Sequence, residues 1–118
     1  MGVLPLVAAL AALVPSTSVP AESGFLLALN RSSTIRVVNL DCSPPGGSHP
    51  RAEEACAELA LANGSFDQLG TEGVACTMEL NPVTVRAIGH WRGETRRFLK
   101  TYSNSCVLEA ATGTVFKF

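Results

Sequence analysis

Four cysteines, two histidines and one internal methionine carry most of the chemistry available to this chain. Cys42, Cys56, Cys76 and Cys106 could serve as thiol nucleophiles, metal ligands or disulfide partners, and His49 and His90 as general bases. A zinc site is disfavoured because no two cysteines stand in a C-x-x-C pair, and His49, between Cys42 and Cys56, has no second histidine at ligand spacing. A hydrolase needs nucleophile, base and stabilising donors together, yet the chain has no G-x-S-x-G, no H-E-x-x-H and no phosphate-binding glycine loop. His49 precedes a helix-starting proline and His90 sits beside Trp91 in a strand, so both read as structural residues. The reading is therefore no enzyme, no metal and no cofactor.

The compartment decides what the thiols do. Residues 1–21, MGVLPLVAALAALVPSTSVPA, carry no charged side chain, run apolar from Val3 to Val14 and end in an A-x-A-like Val19-Pro20-Ala21. They read as a secretory signal peptide cleaved after Ala21, although no Lys or Arg follows Met1 as is usual. The apolar run is shorter than the roughly 20 residues a membrane span needs, so residues 22–118 form one domain without a membrane anchor. Export to an oxidising compartment makes disulfides the natural state of the cysteines. Four cysteines allow three connectivities. Sequence order favours Cys42 with Cys56 and Cys76 with Cys106, and leaves the other two open.

Charge excludes another class of partner. Nine Lys and Arg nearly cancel ten Asp and Glu, so no long-range field would gather phosphates. Arg96, Arg97 and Lys100 lie in a predicted strand where neighbours face opposite ways, which makes a solvated surface and no nucleic-acid patch. Asn30-Arg31-Ser32 and Asn63-Gly64-Ser65 match the glycosylation triplet, a short pattern that chance readily supplies.

The elements that must position these residues are mostly strands. Residues 24–30 and 34–43 predict a hairpin across Arg31-Ser32-Ser33, with Ile35, Val37 and Asn39 on one face and Arg36, Val38 and Leu40 on the other. PPGGSHP (44–50) should break regular structure. A helix follows, with Pro50 near its first position, Glu53 and Glu54 in its first turns and Gly64 just past its end. Its inner face would hold Ala52, Ala55, Cys56, Leu59 and Asn63, and Glu54 and Glu58 would face out. Residues 67–74 read as a surface loop; 83–91 and 95–108 predict strands flanking Arg92-Gly93-Glu94, and TVFKF (114–118) a last strand. Turn signals before Met78, and polar neighbours around it, place it in a loop and not in the core.

HPRAEEACAELA, ACTMELNPV and TYSNSCVLEAATGTVFKF together resemble the Streptomyces subtilisin inhibitor family, from the first strand to Phe118. The resemblance implies an α+β fold: a five-stranded antiparallel sheet with two helices packed on one face, and two disulfides, Cys42 to Cys56 and Cys76 to Cys106. It implies a secreted inhibitor, dimeric through its sheet, whose partner is an extracellular subtilisin-like serine protease. Two residues beyond the third cysteine stands the family's P1 residue, which makes Met78 the bait and Met78–Glu79 the reactive bond. Ala75, Cys76 and Thr77 become P4, P3 and P2, and Glu79 and Leu80 become P1′ and P2′. Asn104 resembles the asparagine that supports the loop from within, and Pro82 would stiffen its exit. The chain departs from the family at Thr77, where proline is frequent, and at the acidic Glu79. A secreted binding or structural module that has lost inhibition through these two residues is the alternative; a small hydrolase using His49 or His90 lacks its constellation.

Overall fold

The computed structural model describes residues 22–71 and 73–118. The expected signal peptide, with cleavage after Ala21, falls outside the described residues. Five strands form one antiparallel sheet: β1 Gly24–Arg31, β2 Thr34–Cys42, β3 Pro45–Gly47, β4 Val83–Trp91 and β5 Glu94–Tyr102, in the order β3-β2-β1-β4-β5. Helices α1 Ala52–Leu61 and α2 Ser105–Thr112 and a 3-10 turn, Phe66–Gln68, complete it. β1 is central, pairing Leu27 with Val38 of β2 and with Ala87 of β4.

Alternation divides the sheet into two unlike faces. Phe25, Leu27 and Leu29 of β1, Leu40 of β2, and Val83, Val85, Ala87 and Trp91 of β4 are buried beneath Ala55 and Leu59 of α1 and Leu108 of α2. Phe66 is the hub of the aromatic part of this core, edge-on to Phe25 at 5.0 Å and stacked on Phe98 at 5.3 Å. The opposite face leaves Leu26, Ile35, Val37, Ile88 and Leu99 exposed. The expected facing of β2 holds, with Ile35 and Val37 outside and Leu40 inside.

Three expectations are corrected. PPGGSHP does not merely break structure: Pro45–Gly47 pairs with Leu40–Cys42 as the edge strand β3, where a leading proline costs no interior hydrogen bond. Residues 95–108 are not one strand, because β5 stops at Tyr102 and Asn104 caps α2 by accepting a hydrogen bond from Val107 N at 2.9 Å. TVFKF is not a strand either; Val115 N and Lys117 N bond locally to Thr112 O and Thr114 O, and Val115 and Phe116 plug the core. The sheet thus keeps five strands, with 45–47 in place of 114–118.

The first helix also differs in detail. Arg51 is its N-cap residue, which puts Pro50 before the cap. Asn63, at φ 54°, is exposed and Ala62 is buried instead. Glu58 is half-buried and not free in solvent: its carboxylate accepts from Thr114 N at 2.7 Å and from Thr114 Oγ1 at 2.9 Å, holding the C-terminal strap against α1. Gly64 lies at φ 76° with the Trp91 indole so close that a Cβ there would collide with the ring. Cys42 and Cys56 are bonded with Cα atoms 5.4 Å apart, fastening α1 to β2.

Candidate functional site

Between the 3-10 turn and β4, residues 74–82 take no regular structure. Three ties hold this segment. Thr71 N donates to Ala110 O of α2 at 2.8 Å at its approach. Cys76 is bonded to Cys106 in the first turn of α2, across a sequence separation of 30. Asn81 N donates to Ser103 O at 2.8 Å just before Pro82 and the buried Val83 return the chain to the sheet.

Asn104 is the centre of the arrangement. The residue is 6% exposed. One end caps α2, through Oδ1; the other end, Nδ2, donates to Thr77 O at 3.2 Å and to Glu79 O at 2.8 Å. The two carbonyls it holds belong to the residues on either side of Met78. Asparagine alone among the capping residues supplies an acceptor for the helix and two amide protons for the loop. The helix end orients the acceptor, and the acceptor orients the amide. Met78 is 99% exposed and Leu80 77% exposed, apolar side chains with no core to enter. Ala75, Thr77, Glu79 and Pro82 are exposed as well, while Cys76 is half-buried against its partner. A long uncharged side chain at the crest of a braced segment can enter an apolar pocket on another molecule with little further ordering.

The histidines stand elsewhere. His49 is buried, its Nε2–H donating to Val115 O at 2.8 Å while Nδ1 accepts from Arg51 N at 2.9 Å, so both ring nitrogens are occupied in joining the start of α1 to the C-terminal strap. His90 is exposed in β4, in register with Gly24 and Thr95. Among the described residues no group of three His, Cys, Asp or Glu side chains is placed to hold a metal. Tyr102, at the end of β5, has its phenol pKa raised, first by burial and then by the negative charge of Asp67.

The sequence residues Met78, Cys76, Cys106 and Asn104 are brought together by the fold. Ser103, Asn81, Thr71 and Ala110 were not singled out beforehand, because they act through backbone atoms that carry no residue-type signal.

A family model described as subtilisin inhibitor-like matches residues 26–104. Protease inhibitor SIL-V2 of Streptomyces orinoci is 41% identical over 109 residues, covering 86% of this chain and 100% of the relative. Protease inhibitor SIL-V5 of Streptomyces luteoverticillatus is 48% identical over 86 residues, 70% of this chain and 80% of the relative. Among solved structures, Streptomyces caespitosus sermetstatin in complex with Bacillus licheniformis subtilisin matches with a TM-score of 0.68 and 28% identity, covering 82% of this chain and 99% of that one.

Proposed function

The chain belongs to the subtilisin inhibitor-like family, and from that premise we propose that it is a secreted inhibitor of subtilisin-like serine proteases with Met78 as P1 and Met78–Glu79 as the reactive bond. It is not an enzyme: the family and the relatives named by function are protease inhibitors. The observation that carries the reading is the pairing of a fully exposed Met78 with an Asn104 amide that holds the carbonyls on both sides of it.

The mechanism follows from that pairing. An extended loop docks on a protease as an added strand, with its P1 side chain in the S1 pocket. Ala75, Cys76 and Thr77 occupy the P4 to P2 positions, and Glu79 and Leu80 those of P1′ and P2′. Asn104 engages Thr77 O and Glu79 O, which leaves the Met78 carbonyl available to the oxyanion-hole donors of the protease. Attack by the protease serine on the Met78 carbonyl would break the Met78–Glu79 bond, leaving the serine esterified by Met78 as an acyl-enzyme and releasing the amine of Glu79. Asn104 still grips both sides of the break, and Cys76–Cys106 tethers the acyl side to α2. The amine therefore stays beside the acyl group, and religation outruns hydrolysis.

Methionine suits the apolar S1 pockets of subtilisin-like and chymotrypsin-like proteases and leaves the acidic pocket of trypsin unpaired. Export of the domain, with residues 1–21 as its signal, accords with two disulfides that an oxidising compartment keeps closed. The exposed Leu26, Ile35, Val37, Ile88 and Leu99 on the outer sheet face support a homodimer formed through the sheet. The test is titration of subtilisin with the purified domain, with mass spectrometry of the complex. Stoichiometric, slowly reversible loss of activity is expected, with any cut at Met78–Glu79. Ordinary turnover of the chain as a substrate would overturn the reading and favour a binding module on the same scaffold.

A further inference from the structure

Arg31 ends β1, far from Met78 in sequence and absent from every motif that marks the loop. Alternation places its side chain on the covered face of the sheet, in line with Leu29. There Nη2 donates to Oγ of Ser105, the first residue of α2, across a sequence separation of 74. Its backbone is meanwhile in register with Val83, the first residue after the loop rejoins the sheet. One residue thus touches both supports of the loop. Its side chain meets the helix turn that carries Asn104 and Cys106, and its main chain meets the strand that receives Pro82.

We infer that Arg31 is a positioning residue for the reactive loop: its guanidinium fixes the first turn of α2 against β1, and that fixes the direction of the Asn104 amide. The inference rests on the inhibitory reading of Met78.

Three observations carry it. First, α2 packs chiefly on the 3-10 turn and on β5, so the Arg31–Ser105 bond is a direct polar tie between its first turn and the central strand. Second, Arg31 Nε is buried without a hydrogen-bond partner among the described residues. The guanidinium is half-buried, and with its Nε shielded from water and unpaired it gains from keeping the one side-chain partner its Nη2 has, since a buried donor left without an acceptor is costly. Third, a cation at the N-terminus of a helix opposes the helix dipole. The arginine is therefore not there to stabilise α2 by charge; the gain lies in where it holds the turn. The connections close a ring, from Arg31 to Ser105, through Cys106 to Cys76, along the loop to Val83, and back to Arg31. A ring closed by one covalent bond, one strand pairing and one charged hydrogen bond has its weakest member at Arg31–Ser105.

The experiment compares the wild-type chain with Arg31→Met, Ser105→Ala and the double variant. It reads the inhibition constant for subtilisin, the rate of cleavage at Met78–Glu79, the hydrogen exchange of the Asn104 side-chain amide in the free protein, and Tm. Each single variant should raise the inhibition constant on the order of tenfold and speed cleavage, as loss of one charged hydrogen bond implies. The double variant should do no more than either single one. Arg31→Lys, whose ammonium can still donate to Oγ, should recover part of the loss. Amide exchange at Asn104 should quicken in step, at temperatures well below Tm, where a residue that merely stabilises the fold leaves all three readings unmoved. Unchanged inhibition and exchange in Arg31→Met, or additive effects in the double variant, would overturn the inference. Should the wild type fail to inhibit subtilisin, the proposed function falls, and amide exchange at Asn104 still decides the part played by Arg31.

Discussion

Replacing Asn104 with aspartate separates the two tasks of one side chain. Asn104→Asp retains an oxygen that can accept from Val107 N, so α2 keeps its cap, and the new carboxylate is favoured at a helix N-terminus. The amide that reached Thr77 O at 3.2 Å and Glu79 O at 2.8 Å becomes an oxygen facing two carbonyl oxygens. Two neutral hydrogen bonds at about 1 kcal/mol each are lost, and acceptor now opposes acceptor, for a total of about 2 to 3 kcal/mol. In the wild type those bonds exist before the protease arrives, so their loss moves the ordering of the loop into the binding step. That free energy corresponds to a rise in the inhibition constant of about 30- to 140-fold. Titration of subtilisin measures it, with circular dichroism to verify α2 and mass spectrometry to time the cut at Met78–Glu79, which should come sooner. An inhibition constant within threefold of wild type, in a folded variant with an uncut loop, would refute the clamp.

Met78→Lys should shift inhibition from subtilisin towards trypsin by at least tenfold in their ratio, read by parallel titrations, because the ammonium pairs with an acidic S1 pocket and burdens an apolar one. The pair Cys76→Ser and Cys106→Ser should lower unfolding free energy by roughly 3 to 4 kcal/mol, from the loop closed across their sequence separation of 30, and turn the chain from inhibitor to substrate; denaturant unfolding and product analysis check both. The phenol of Tyr102 has a raised pKa, so its contribution is fully present below the unfolded value of 10.0 and is lost as pH rises through the folded one. Unfolding curves should therefore show stability falling above about pH 10 in the wild type, and less steeply in Tyr102→Phe. Val37→Asp with Leu99→Asp, on the exposed sheet face, should halve the sedimenting mass without changing inhibition per chain.

How far these residues could be read beforehand depended on the range of the interactions that govern them. Period-two alternation is a local property, so the hairpin of β1 and β2 and the pairing of β4 with β5 were legible, down to the outward facing of Ile35 and Val37. Four cysteines free to pair, a helix opened by acidic residues and closed before Gly64, and a methionine among turn formers were legible for the same reason. The edge strand Pro45–Gly47 was not, because a proline-glycine run pairs only when a neighbouring strand already stands beside it. TVFKF has every local mark of a strand, yet no open sheet edge received it, and its apolar residues closed the core instead.

The functional segment divides along the same line. Residue types and spacing alone determined that Met78 lies in a loop, and resemblance alone suggested its role. That the same Asn104 caps a helix and grips the carbonyls of Thr77 and Glu79 was decided only by the tertiary structure. So was the reach of Arg31 across the fold to Ser105. Both depend on where distant backbone atoms come to rest, and a carbonyl oxygen looks the same in every residue that bears it.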